Sequence, residues 1–125
     1  MVKQRAKSTR ARVAQPKPAP VISLDVTTRD TEGRTPLHLA AFFGYAITVR
    51  KMLTQHADVE ALDNCQRTPG HWPAFKGHMD VIKMLVEFSA NLNARDTEGR
   101  TLLRMAIIGR QPAMEAYLRV HGAIL

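Results

Sequence analysis

Cys65, His71 and His78 lie within the 14-residue stretch CQRTPGHWPAFKGH, and thiolate with imidazole nitrogen is a donor set for tetrahedral zinc. The spacing lacks the close pairing of zinc motifs, and the three residues fall on different elements, so zinc is not the reading taken. Cys65 is the only cysteine. With no neighbouring base to activate it, it reads as an ordinary exposed thiol rather than a nucleophile. No phosphate-binding loop, dinucleotide fingerprint or nucleophile elbow occurs, and the carboxylates are scattered rather than paired. Catalysis, metal and cofactor therefore have no support in these residues.

The elements that carry these residues repeat. DTEGRTPLHLAAFFG starts at residue 30, DNCQRTPGHWPAFKG at 63 and DTEGRTLLRMAIIGR at 96, a period of 33 in both intervals. Each unit opens on a tight turn, with Gly33 and Gly99 free to take positive φ. A threonine then caps a helix, and Pro36 or Pro69 stands at its first position, where no amide donor is needed. The pattern predicts short first helices over about 36–42, 69–75 and 102–108, and amphipathic second helices over about 46–55, 79–88 and 112–121. No useful strand is signalled. The chain reads as all-α, with units at 30–62, 63–95 and 96–125 and a partial unit end or linker at 21–29.

DTEGRTPLHLAAFFG is similar to the ankyrin-repeat pattern in both its period and its Thr-Pro-Leu-His-x-Ala signature. The stretch 77–96 resembles the second helix and exit turn of that family almost throughout. The resemblance implies an α-solenoid of stacked helix pairs, a non-enzymatic scaffold or adaptor that binds a protein through its turn tips and the concave face of its first helices. The implied turn sites are Thr31, Glu32 and Arg34; Asn64, Cys65 and Arg67; and Thr97, Glu98 and Arg100. The implied helix sites are Phe42, Phe43, Phe75, Lys76, Ile108 and Gly109. Two readings of Phe42, Phe43, Phe75 and Ile108 stand: aromatic anchors for a partner, or side chains folded back on neighbouring helices. Arg34, Arg67 and Arg100 form a row suited to carboxylates or phosphates, or are solvated and paired locally, with Glu32 and Glu98 close by. For His38 and His71 the resemblance implies hydrogen bonds that tie adjacent repeats.

The formal charge of +7 is uneven: residues 1–20 carry six cations and no acid, whereas the rest holds 12 basic and 11 acidic side chains. With three prolines and little apolar surface, residues 1–20 read as a disordered basic tail. Lys3, Arg5, Lys7, Arg10 and Arg12 suit nuclear targeting, a nucleic-acid backbone or an anionic surface. Ser8 and Thr9 among them look like a phosphorylation site for a basophilic kinase. In a competing reading this tail is the main functional element and the repeats are cargo. No stretch suits a transmembrane span or secretory signal, so the expectation is intracellular, cytoplasmic or nuclear. A further reading takes the chain as part of a longer repeat protein, and exposed Ile124 and Leu125 predict self-association. Finally, Gly70 stands where Leu37 and Leu103 stand, and Pro73 where Ala40 stands. A cavity and a lost helical bond are expected there, making the middle unit the weak one.

Overall fold

The computed structural model describes residues 25–125; the expectations for the basic tail and for residues 21–24 lie outside them. Six α-helices follow in order: α1 Pro36–Phe43, α2 Ala46–Thr54, α3 His71–Lys76, α4 Met79–Glu87, α5 Leu102–Ile108 and α6 Pro112–Val120. There is no strand among the described residues. α1 packs on α3 and α3 on α5, forming one row; α2 packs on α4 in the second row, and each first helix packs on its own second helix. The chain is an all-α solenoid.

One aspartate organises each turn before a first helix. Asp96 accepts the amides of Glu98 and Arg100, both at 2.9 Å, on one oxygen and Arg100 Nε at 2.9 Å on the other. Asp30 and Asp63 make the same three bonds. Successive turns are joined, because Asn64 N donates to Glu32 O and Thr97 N to Cys65 O, both at 2.9 Å. Thr35 then caps α1: its hydroxyl accepts His38 N, while its own amide donates to His38 Nδ1. Pro36 fills the first helical position, and Gly44 at φ 76° ends the helix in the left-handed region.

The core lies between the two rows. Leu37, Met52, Ile82, Leu85, Leu103 and Met114 are all at most 1% exposed, each contributing about 1.5–3 kcal/mol by burial. The second helices bury one face each: Val49, Met52 and Leu53; Val81, Ile82 and Leu85; and Met114 and Leu118.

The middle unit departs from expectation in two ways. α3 starts at His71, not at Pro69. His71 N bonds Thr68 O at 3.2 Å, a tight three-residue turn, where Leu39 N bonds Thr35 O in the first unit. The late start places Pro73 in the first turn of the helix, where amides have no intrahelical acceptor, so its missing N–H is tolerated. The expected cavity at Gly70 is also absent. A Cβ there would stand 2.8 Å from Leu102 Cδ2 and 3.5 Å from Leu85 Cδ1. Leu102 occupies the position that is proline in the other two units, and its side chain takes the room that Gly70 gives up.

Candidate protein-interaction face

Each histidine of the first helices closes a joint. His38 Nε2 lies 2.8 Å from Arg67 O, and His71 Nε2 lies 2.9 Å from Arg100 O. On the other side of each ring, Nδ1 accepts from the amide of Thr35 or Thr68, at 3.1 and 3.0 Å. Nδ1 is therefore the unprotonated nitrogen and Nε2 donates to the carbonyl, so the neutral tautomer is fixed. Burial pushes both imidazoles below their ordinary pKa, against the raising effect of the carbonyl each one meets. With both nitrogens of His71 engaged, neither is free for a metal. Burial alone would raise the Asp30 and Asp96 carboxyls, but the surrounding amides and the arginine beside each hold both below the usual value.

A second set of joints involves the segments that follow the second helices. Asn91 N donates to Glu60 Oε2 at 2.7 Å, and one unit later Ile124 N donates to Asn93 Oδ1 at 2.9 Å. Arg29 bonds the carbonyls of Gly33 and Leu62, and Arg95 those of Gly99 and Leu125.

Along the first-helix row the aromatic rings connect across units. Phe43 meets Phe42 edge-on at 5.1 Å between centroids, Phe42 meets Trp72 at 5.9 Å, and Trp72 meets Phe75 at 5.4 Å. Tyr45 stacks on Phe43 at 5.6 Å. Phe42, Trp72 and Phe75 are half-buried and Phe43 is 38% exposed. Such T-shaped pairs are worth about 0.5–1.5 kcal/mol each beyond their burial. Two cations lie over this string, Lys76 Nζ 4.1 Å from the Phe42 centroid and the Arg67 guanidinium 5.2 Å from that of Trp72.

The ankyrin-repeat family model, in three copies, matches residues 37–123. The chain belongs to the ankyrin-repeat family. No curated protein matches it. Ankyrin repeats are in general protein–protein interaction modules rather than catalysts. Among the described residues no helix is long and apolar enough to cross a membrane.

Within these ankyrin units the aromatic candidates come together unevenly. Phe42, Phe43 and Phe75 belong to one string only because Trp72 bridges Phe42 to Phe75. Sequence reasoning missed that role; the signal was an aromatic three residues before Phe75 on a helix. Ile108 is 48% exposed. The three arginines are each paired within their own turn, Nε to aspartate at 2.8 Å for Arg34, 3.0 Å for Arg67 and 2.9 Å for Arg100. Thr31, Glu32, Asn64, Cys65, Thr97 and Glu98 are exposed on the turns, and Lys76 is exposed at the end of α3. Gly109 lies against the Phe75 carbonyl, so close that a Cβ would collide with its oxygen. Ile124 and Leu125 are exposed, although their backbone is tied to Asn93 and Arg95. On the second-helix row a groove of about 520 Å³ is lined by Arg50, Lys83, Met84, Glu87 and Tyr117 among others. Arg50 pairs with Glu87 across it at 3.1 Å, and Lys83 sits 5.9 Å from the Tyr117 ring.

Proposed function

We propose that the chain is a non-enzymatic scaffold that holds a segment of a partner protein along its first-helix row. The observation that carries this is the continuous string Phe43–Phe42–Trp72–Phe75, partly open to solvent and spanning two repeats. Clustered aromatics of this kind supply large contact area at low cost in side-chain entropy and dominate interface energetics. The turn residues Thr31, Glu32, Arg34, Asn64, Cys65, Arg67, Thr97, Glu98 and Arg100 form the polar edge of the same surface, with Ile108 and Lys76 beside the string.

The test is affinity capture from a native lysate with the wild-type chain and with Phe42→Ala plus Phe75→Ala. Proteins retained by the first and lost by a folded second variant support the reading. Equal recovery by both overturns it. Deleting residues 1–20 separates this reading from the one in which the basic tail dominates, since only the latter predicts lost, salt-sensitive binding. Val120, Ile124 and Leu125 are 81%, 58% and 48% exposed in the last unit, which favours self-association there as a subsidiary reading. Sedimentation showing a monomer at high concentration removes it.

A further inference from the structure

Charge is distributed over the two helix rows in different ways. The first helices and their exits, residues 36–43, 69–77 and 102–110, hold Lys76, Arg104 and Arg110 and not one acidic residue. All three are exposed, and none has a carboxylate within ion-pair distance among the described residues. The second-helix row is mixed: α2 holds Arg50 and Lys51 and no acid, whereas α4 and α6 set Asp80, Glu87 and Glu115 among their cations.

The middle turn adds a local vacancy of charge. Arg34 has two carboxylates near it, Asp30 at 2.8 Å and Glu32 at 3.9 Å. Arg100 likewise has Asp96 at 2.9 Å and Glu98 at 3.5 Å. Arg67 has only Asp63 at 3.0 Å, because Cys65 stands where the other two units have glutamate. The guanidinium left short of its second carboxylate is the one that lies over Trp72. Lys76, which has no carboxylate within ion-pair distance among the described residues, lies over Phe42, and the Phe42 and Trp72 rings meet at 5.9 Å.

We infer that the partner segment is acidic, with a carboxylate that seats at Arg67 and Lys76 over the Phe42–Trp72 step and apolar side chains that follow the ring string. This rests on the reading of the first-helix row as a binding surface. A carboxylate there would take the place of the missing glutamate toward Arg67 and would be the first counter-ion of Lys76. Arg104 and Arg110 extend the same sign of charge toward the last unit, which favours further acids along the segment.

The probe is a display library of short random peptides selected on the full chain. Enriched sequences should combine Asp or Glu with large apolar residues, and their affinity should fall as salt is raised. Lys76→Gln should weaken them about tenfold, the loss of one charge-assisted contact. Cys65→Glu, which supplies Arg67 with an internal carboxylate, should weaken them by a similar factor while leaving the melting temperature unchanged. Enriched peptides that carry no acidic excess, or acidic ones indifferent to both variants, overturn the inference. If such peptides still lose binding with Phe42→Ala, the interaction face stands and only its charge preference falls. No enrichment above display background, or none sensitive to Phe42→Ala plus Phe75→Ala, overturns both. A single-stranded oligonucleotide that binds the chain and is released by Lys76→Gln also overturns the acidic-peptide inference.

Discussion

Leu102 Cδ2 lies 2.8 Å from where a side chain on Gly70 would begin. The first pair of units has leucine and proline at the corresponding places, Leu37 and Pro69; the second pair has glycine and leucine. Bulk has moved from one side of the joint to the other. Gly70 has φ −86°, so its glycine is explained by space and not by backbone conformation. Gly70→Leu should therefore overpack the joint and cost about 1–3 kcal/mol. Adding Leu102→Pro, at a first helical position that welcomes proline, should recover much of that loss. A double-mutant cycle in denaturant measures the coupling; additive effects would show that the two side chains do not share one space.

Gln66 holds φ 60°, in the turn position that is glycine at residues 33 and 99. A non-glycine residue there costs roughly 1–2 kcal/mol, partly offset by the greater freedom of glycine in the unfolded chain. Gln66→Gly is expected to raise stability by about 0.5–1 kcal/mol. Thermal melts check it, and a lowered Tm would contradict the account of this turn.

Gly109 is required for a different reason, since the Phe75 carbonyl occupies the place of its Cβ. Gly109→Ala must push α3 and α5 apart or displace that carbonyl, which Gln111 Nε2 also approaches at 3.3 Å. The expected loss is about 1–3 kcal/mol, visible as faster amide exchange in α3. A neutral substitution would mean that the two helices are not fixed at this distance.

Acid should weaken the fold in two stages. His38 and His71 are buried and neutral, with folded pKa values below 6.5. As pH falls through 6.5 the unfolded chain takes up protons that the folded chain refuses, so the stability present above 6.5 is progressively lost down to the folded values. Asp96 adds a second loss: its folded carboxyl lies below 3.8, so its contribution is present above that pH and disappears as pH drops through the folded value. Tm measured from pH 8 downward should decline in both intervals. A flat profile between pH 7 and 5 would rule out the histidine contribution.

The helix pairs and their period were legible in the sequence because each unit spells its own local rules: a turn-forming Asp, a Thr before the first helix, proline after that Thr in two of the three units, and a two-face alternation in the second helix. Relationships between units were less so. Gly70 was read as a deficit because its neighbour on the chain offers no replacement; the compensating Leu102 is 32 residues away and becomes adjacent only after stacking. The same holds for Trp72, whose ring reaches Phe42 in the previous unit. The joints from Glu60 to Asn91 and from Asn93 to Ile124 escaped notice because a lone Glu and a lone Asn at one repeat position look like unrelated surface residues. Side-chain oxygen, not residue type, is what that position keeps.

Trp72 is the chain's only tryptophan, and it sits in the middle of the aromatic string beneath the Arg67 guanidinium. Its indole emission therefore comes from one place on the molecule. A molecule settling on the first-helix row changes the polarity around that ring and shields it from a diffusing quencher, whereas an event confined to the second-helix groove leaves it alone. The protein thus carries an intrinsic optical reporter at the proposed binding surface, readable without a label.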